Sequence, residues 1–460
     1  MKFPALVFMV LFLLPAGIAG AQAPVTVTLA PKNAGAAIPA DFVGLSFETS
    51  ALLPDSSGQH AFRPTNQPLT DIFKSLGIKS LRIGGNSVDQ DTVAIPSNAD
   101  IDNLFGFAQA AGVKVIYSLR LKSNNPAGAA AIAKYVMEHY SSTVECLSIG
   151  NEPTMYLASS SVYNDEFTAY EKAILASSPN AKLCGPSSTP GKVEWAADFA
   201  NHFAHASQIN HVLHHEYFGG NGQKITGAEA RDKLLAPAML DSYKSKYDKL
   251  APAVPSDGFD FRFEETNSYY HGGSPGASDT FASALWGLDY MHWWASHDLS
   301  GLNFHTGIKG GGYSVFGTSP GGYAARPLGY AVKAFSLVAS GHTVPASITN
   351  KQGINLTAYG ISADDGTLYV TLINKEHDSG SRSADVTIIP GSKYAHGQVL
   401  FLTAPKNDVA ATSGILLGGA PIADDGSWSG TWTNLPRPSH GDFKVTIPQA
   451  TASIVKLTIK

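Results

Sequence analysis

The sequence is poor in several things, and each shortage excludes something. Two cysteines in 460 residues cannot knit a disulfide scaffold, and neither Cys146 nor Cys184 has histidines at a spacing that would complete a zinc site. Both fall in apolar, strand-like runs, where they read as small buried hydrophobes. A bridge between them requires those runs to be neighbours, which the spacing leaves open. Charged residues make up only 15%, with a formal net charge of −5. The chain therefore has no basic footprint, and nucleic acid is excluded as its main ligand. Beyond residue 23 no stretch reaches about 18 uninterrupted apolar residues, so none reads as a membrane span. There is no low-complexity linker. No Gly-rich phosphate loop opens an early helix, which disfavours a doubly wound nucleotide fold.

What is present is a globular composition, 44% hydrophobic with 45 Gly and 18 Tyr. Residues 1–23 have the pattern of a secretory signal peptide, with Lys2 at the start, an apolar core and an Ala21-Gln22-Ala23 cleavage site. The expected mature protein is soluble and secreted or periplasmic. Eight short apolar runs follow, at residues 44–48, 80–85, 114–121, 144–152, 181–187, 209–218, 259–265 and 301–306. Helix-like segments separate them, for example 101–111, 126–140 and 281–297. Eight strand-helix pairs in about 300 residues predict a (β/α)₈ barrel over 44–340. After Gly341 the period changes to two, with turn signals at 364–366, 424–426 and 439–442, which predicts a β-sandwich over 341–460. Residues 24–43 supply a spare strand expected to join it.

Two carboxylate-bearing segments end two of the barrel runs. The fourth run closes on Asn151-Glu152-Pro153. Its alternation sends Leu147 and Ile149 to the helix layer and Cys146, Ser148 and Glu152 toward the barrel axis. The seventh run closes on Glu264-Glu265-Thr266-Asn267-Ser268. Strict alternation nominates Glu264 as its inward residue, but bulges re-aim side chains at strand ends beside active sites, so local pattern leaves the two open. Two carboxylates at the mouth of a barrel are what glycosidic cleavage requires: one holds a proton for the leaving oxygen and the other meets the oxocarbenium charge. On the second run Arg82 points inward between Leu81 and Ile83 and needs a carboxylate partner. His214-His215-Glu216-Tyr217 ends the sixth run, with Tyr217 the candidate to hydrogen-bond that carboxylate. Adjacent histidines do not have metal-site spacing, and Trp293-Trp294 read as helix core.

These residues resemble the retaining (β/α)₈ glycosidases. Leu81-Arg82-Ile83-Gly84-Gly85, the segment from Glu265 to Gly273, and Gly310-Gly311-Gly312-Tyr313 are similar to glycoside hydrolase family 79, which holds β-glucuronidases and heparanase. The resemblance implies Glu152 as acid/base and Glu265 as nucleophile. It implies substrate contacts from Glu48 and from Gly312 and Tyr313 at the uronic carboxylate, with Tyr270 a further candidate there. By strand position Asn151 reads as a donor to a sugar hydroxyl, Tyr217 as a partner of the nucleophile or substrate, and Arg82 as the cation that supports the nucleophile. The chain departs from the heparanase pattern at His271, where glycine is expected, and at Asn86-Ser87, where a Thr-Lys pair would stand. The expectation is an exo-acting β-glucuronidase for glycans or glucuronides, with no cofactor, no metal and no membrane partner. An arabinofuranosidase, a xylanase, an endo-glucuronidase or a non-catalytic glycan binder remain as alternatives.

Overall fold

The computed structural model describes residues 22–251, 260–390, 394–436 and 441–459. Residues 1–21 of the expected leader lie outside them, as do Phe259 of the seventh run and Ser439 and His440 of one expected turn. The first strand, β1 (Gln22–Leu29), includes two residues assigned above to the leader, and Ala23 is fully buried opposite Ala384.

Eight parallel strands then close into a barrel in chain order. They are β2 (Val43–Glu48), β3 (Ser80–Gly84), β4 (Lys114–Leu119), β5 (Val144–Ile149), β6 (Leu183–Ser188), β7 (Ile209–Glu216), β8 (Asp260–Thr266) and β9 (Gly301–His305). Each corresponds to one of the eight apolar runs. Helices such as Pro126–Tyr140 and Phe281–Ala295 pack outside. Alternation divides each strand between two cores. On β5, Leu147 and Ile149 join the large cluster shared with the helices, whereas Cys146 meets Ile116, Cys184 and Leu213 inside the barrel. Cys146 and Cys184, read above as separate hydrophobes, are joined by a disulfide between the neighbouring strands β5 and β6. Barrel closure creates that adjacency, which is why spacing alone could not supply it.

The C-terminal region consists of two sheets. The larger runs in the order His342–Val344, Leu356–Ser362, Leu368–Asn374, Thr451–Ile459, Tyr394–Thr403, Leu416–Leu417. The smaller places β1 between Ala346–Thr349 and Ser383–Ile389, with Phe443–Ile447 at its edge. Val25 and Val27 of the smaller sheet share one apolar cluster with Leu368, Val370, Val455 and Leu457 of the larger. The opposite face of the larger sheet, with Ile361, Ile373, Leu400, Leu402 and Ile454, belongs to the barrel's own cluster. Polar groups fix this contact as well. Asp289, on the helix Phe281–Ala295, lies 2.6 Å from Lys375 Nζ and accepts from the hydroxyls of Thr357 and Tyr359 at 2.7 Å each. Among the described residues no helix is long and apolar enough to cross a membrane.

Candidate active site

Strand order brings the chemistry to one end of the barrel, where the C-terminal ends of its strands surround a cavity of about 500 Å³. Glu48, Glu152, Tyr217, Glu265, Tyr270, His271, His305 and Tyr313 line it, with Met155, Thr189 and Pro190 on the side of Glu152. Glu152 follows the end of β5 on a backbone turned to φ +47, a left-handed conformation uncommon for a glutamate. Its Oε1 lies 3.0 Å from His215 Nδ1.

Both carboxylates of β8 turn inward, and the register of the strand explains how. Pairing with β7 skips between Leu213 and His215, and pairing with β9 skips between Phe263 and Thr266. A bulge of this kind lets consecutive residues face the same side. Glu265 reaches the cavity, and Glu264 lies fully buried beneath it. Arg82, also fully buried, donates from Nη1 to Glu265 Oε2 at 2.6 Å and from Nη2 to Asn151 Oδ1 at 2.7 Å. Tyr217 donates its hydroxyl to Glu265 Oε1 at 2.9 Å. Burial alone would raise the pKa of Glu265. The charges of His305, His215 and Arg82, with the Tyr217 hydrogen bond, outweigh it and hold this carboxyl well below the usual carboxylate range.

Alternation also separates the two adjacent histidines of β7. His215 faces inward to the carboxylates, whereas His214 bonds Ser188 and Glu216, and Glu216 meets Lys246 at 2.5 Å. Burial disfavours a charged His215, but Glu265, Glu152 and Glu264 push its pKa up to about 9. Ligand atoms of Glu152, His215 and Glu265 lie within 4.8 Å of one another, as do those of Asp232, His377 and Asp378 on the surface. In the surface group, His377 Nε2 lies 3.0 Å from Asp232 Oδ1.

The remaining expected residues lie at or beside the cavity, each with partners of its own. Asn151 does not line the cavity. Its side-chain amide accepts from Arg82 and donates to Asn86, so it braces the site. The Tyr313 N–H is already given to Gly272 O at 3.3 Å. Tyr313 therefore offers its ring and hydroxyl, not its amide. Glu48 accepts from the Ser87 N–H at 2.8 Å and hydroxyl at 2.6 Å. Two residues were not singled out in the sequence. His305, at the end of β9, lies 3.6 Å from both Glu48 and Glu265, and the parity of the eighth run would have marked it as inward. Asp89 accepts from the Asn151 N–H at 2.9 Å, from Tyr156 at 2.8 Å and from the Leu121 N–H at 2.8 Å, tying the β3, β4 and β5 ends together. Nothing in the spacing around Asp89 signals that role.

No protein-family model matches the chain. A β-glucuronidase of Aspergillus niger is 23% identical over 410 residues, 75% of this chain and 71% of that protein. A heparanase of Bos taurus is 26% identical over 215 residues, 42% of this chain and 37% of that protein. Among solved structures, a 4-O-α-L-rhamnosyl-β-D-glucuronidase from Fusarium oxysporum superposes with a TM-score of 0.74 at 20% identity, covering 95% of this chain and 99% of that one. The chain is a glycoside hydrolase similar to family 79.

Proposed function

We propose that the protein is an exported, retaining, exo-acting β-glucuronidase that removes terminal β-linked glucuronic acid from glycans or glucuronides. The observation that carries this reading is the spacing of Glu152 and Glu265, whose nearest oxygens lie within 4.8 Å. Retaining enzymes hold their carboxyl groups about 5–5.5 Å apart, whereas inverting ones leave about 6.5–9.5 Å for a water. Glu265, held ionised by His305, His215 and Arg82, attacks the anomeric carbon. Glu152 gives its proton to the leaving oxygen, then takes one from the water that releases the sugar. Glu48 and His305 face the ring hydroxyls, and the hydroxyls of Tyr270 and Tyr313 face the uronic carboxylate without burying a further arginine. A cavity of about 500 Å³ suits one sugar ring and the start of its leaving group, which supports exo action.

The test compares nitrophenyl β-glucuronide with the glucoside, xyloside and arabinofuranoside. The glucuronide is expected to be hydrolysed fastest, with Glu265→Gln losing about 10³-fold or more in kcat and Glu264→Gln keeping measurable turnover. Faster cleavage of a neutral glycoside would overturn the sugar assignment, and sugar binding without turnover would make the protein a glycan binder.

A further inference from the structure

Glu264 is a fully buried carboxylate that touches no part of the cavity. Burying a carboxylate is costly unless charges and hydrogen bonds compensate it. Its two cationic neighbours are the groups that hold the reacting carboxylates. Glu264 Oε1 lies 3.4 Å from His215 Nε2, and the opposite ring nitrogen lies 3.0 Å from Glu152. Glu264 Oε2 lies 3.6 Å from Arg82 Nε, and Nη1 of the same guanidinium is bonded to Glu265 at 2.6 Å. One hidden carboxylate is therefore a single side chain away from each of the two that meet the sugar.

We propose that Glu264 is a positioning residue for hydrolysis: it keeps His215 as a donor to Glu152 and anchors Arg82 against Glu265. This rests on the roles proposed above for Glu152 and Glu265. The titratable groups facing His215 are Glu152 from the β5 end, Glu264 and Glu265 from β8, Arg82 from β3 and the adjacent His214. Tyr163 also feels the charge of Glu264. With Glu264 ionised, His215 keeps both ring protons and donates to Glu152. A neutral His215 that keeps its proton on Nε2, toward Glu264, would instead present the Nδ1 lone pair to Glu152 and draw the acid's proton away from the leaving oxygen.

The experiment measures kcat and KM for nitrophenyl glucuronide against pH in the wild type, Glu264→Gln and Glu264→Asp, and follows His215 by ¹⁵N NMR. Glu264→Gln is expected to lower kcat about 10- to 100-fold with little change in KM, to move the alkaline limb to lower pH, and to lower the His215 titration midpoint. Glu264→Asp, which keeps the charge, should restore the midpoint and part of kcat. Wild-type kinetics and an unmoved midpoint in folded Glu264→Gln would overturn the proposal. If Glu264→Gln does not fold, Glu264→Asp decides: a lowered midpoint despite the retained charge would count against it. If the wild type cleaves no glucuronide, the functional reading fails, while the NMR midpoints still report on Glu264.

Discussion

At the scale of single residues, the site works by keeping one carboxylate charged in a place where burial would neutralise it. Glu265 is depressed by His305, His215 and Arg82. A group with a depressed pKa stays ionised until the pH falls through that value, so the acid limb of kcat/KM is expected below about pH 4, the ordinary carboxylate range. An acid limb near pH 6 in the pH profile would contradict this. Glu152 was legible because Asn-Glu-Pro ends an apolar run and alternation points it inward. Glu264 and Glu265 could not be separated in the same way, because a bulge suspends the alternation on which parity depends. The bond from Arg82 to the Asn151 carbonyl was not legible, since nothing local announces that partner.

At the scale of elements, all eight barrel strands could be read from their apolar runs, because strands buried on both faces are continuous in hydrophobicity. In the C-terminal region, where period-two alternation was the guide, Leu356–Ser362 does not stand out. Both of its faces are largely buried, so it shows no polar alternation to find. The hairpin of Phe316–Ser319 and Gly322–Ala325 was missed because its strands are only four residues each. The loop before that hairpin explains its glycines. Gly312 has φ +45, and a Cβ there would collide with Gly272 O. Gly312→Ala should therefore push the two loops apart and displace Tyr313 from the cavity. The expected result is a rise in KM for the glucuronide larger than any fall in kcat, with a stability loss of about 1 kcal/mol or more by thermal unfolding. An unchanged KM would show that the loop contact does not position Tyr313.

At the scale of the whole molecule, the larger sheet serves two cores: one face completes the sandwich and the other covers the barrel helices. The buried Asp289–Lys375 pair sits at that contact, with both side chains almost fully enclosed. Removing one partner strands the other, at a cost of about 3–5 kcal/mol. Lys375→Ala is thus expected to lower the unfolding midpoint in denaturant markedly while leaving the sugar cavity intact. A variant as stable as the wild type would mean that the pair contributes nothing to docking the sheet. The placement of β1 carries a different consequence, one for the order of events during synthesis. Val25 and Val27 find their parallel partners only at Val386 and Ile388. A ribosome releases the first strand long before its neighbour exists, so its apolar face must wait while the whole barrel is made. The smaller sheet therefore forms late, and until it does the nascent chain carries an unpaired strand edge, open to aggregation or to chaperones.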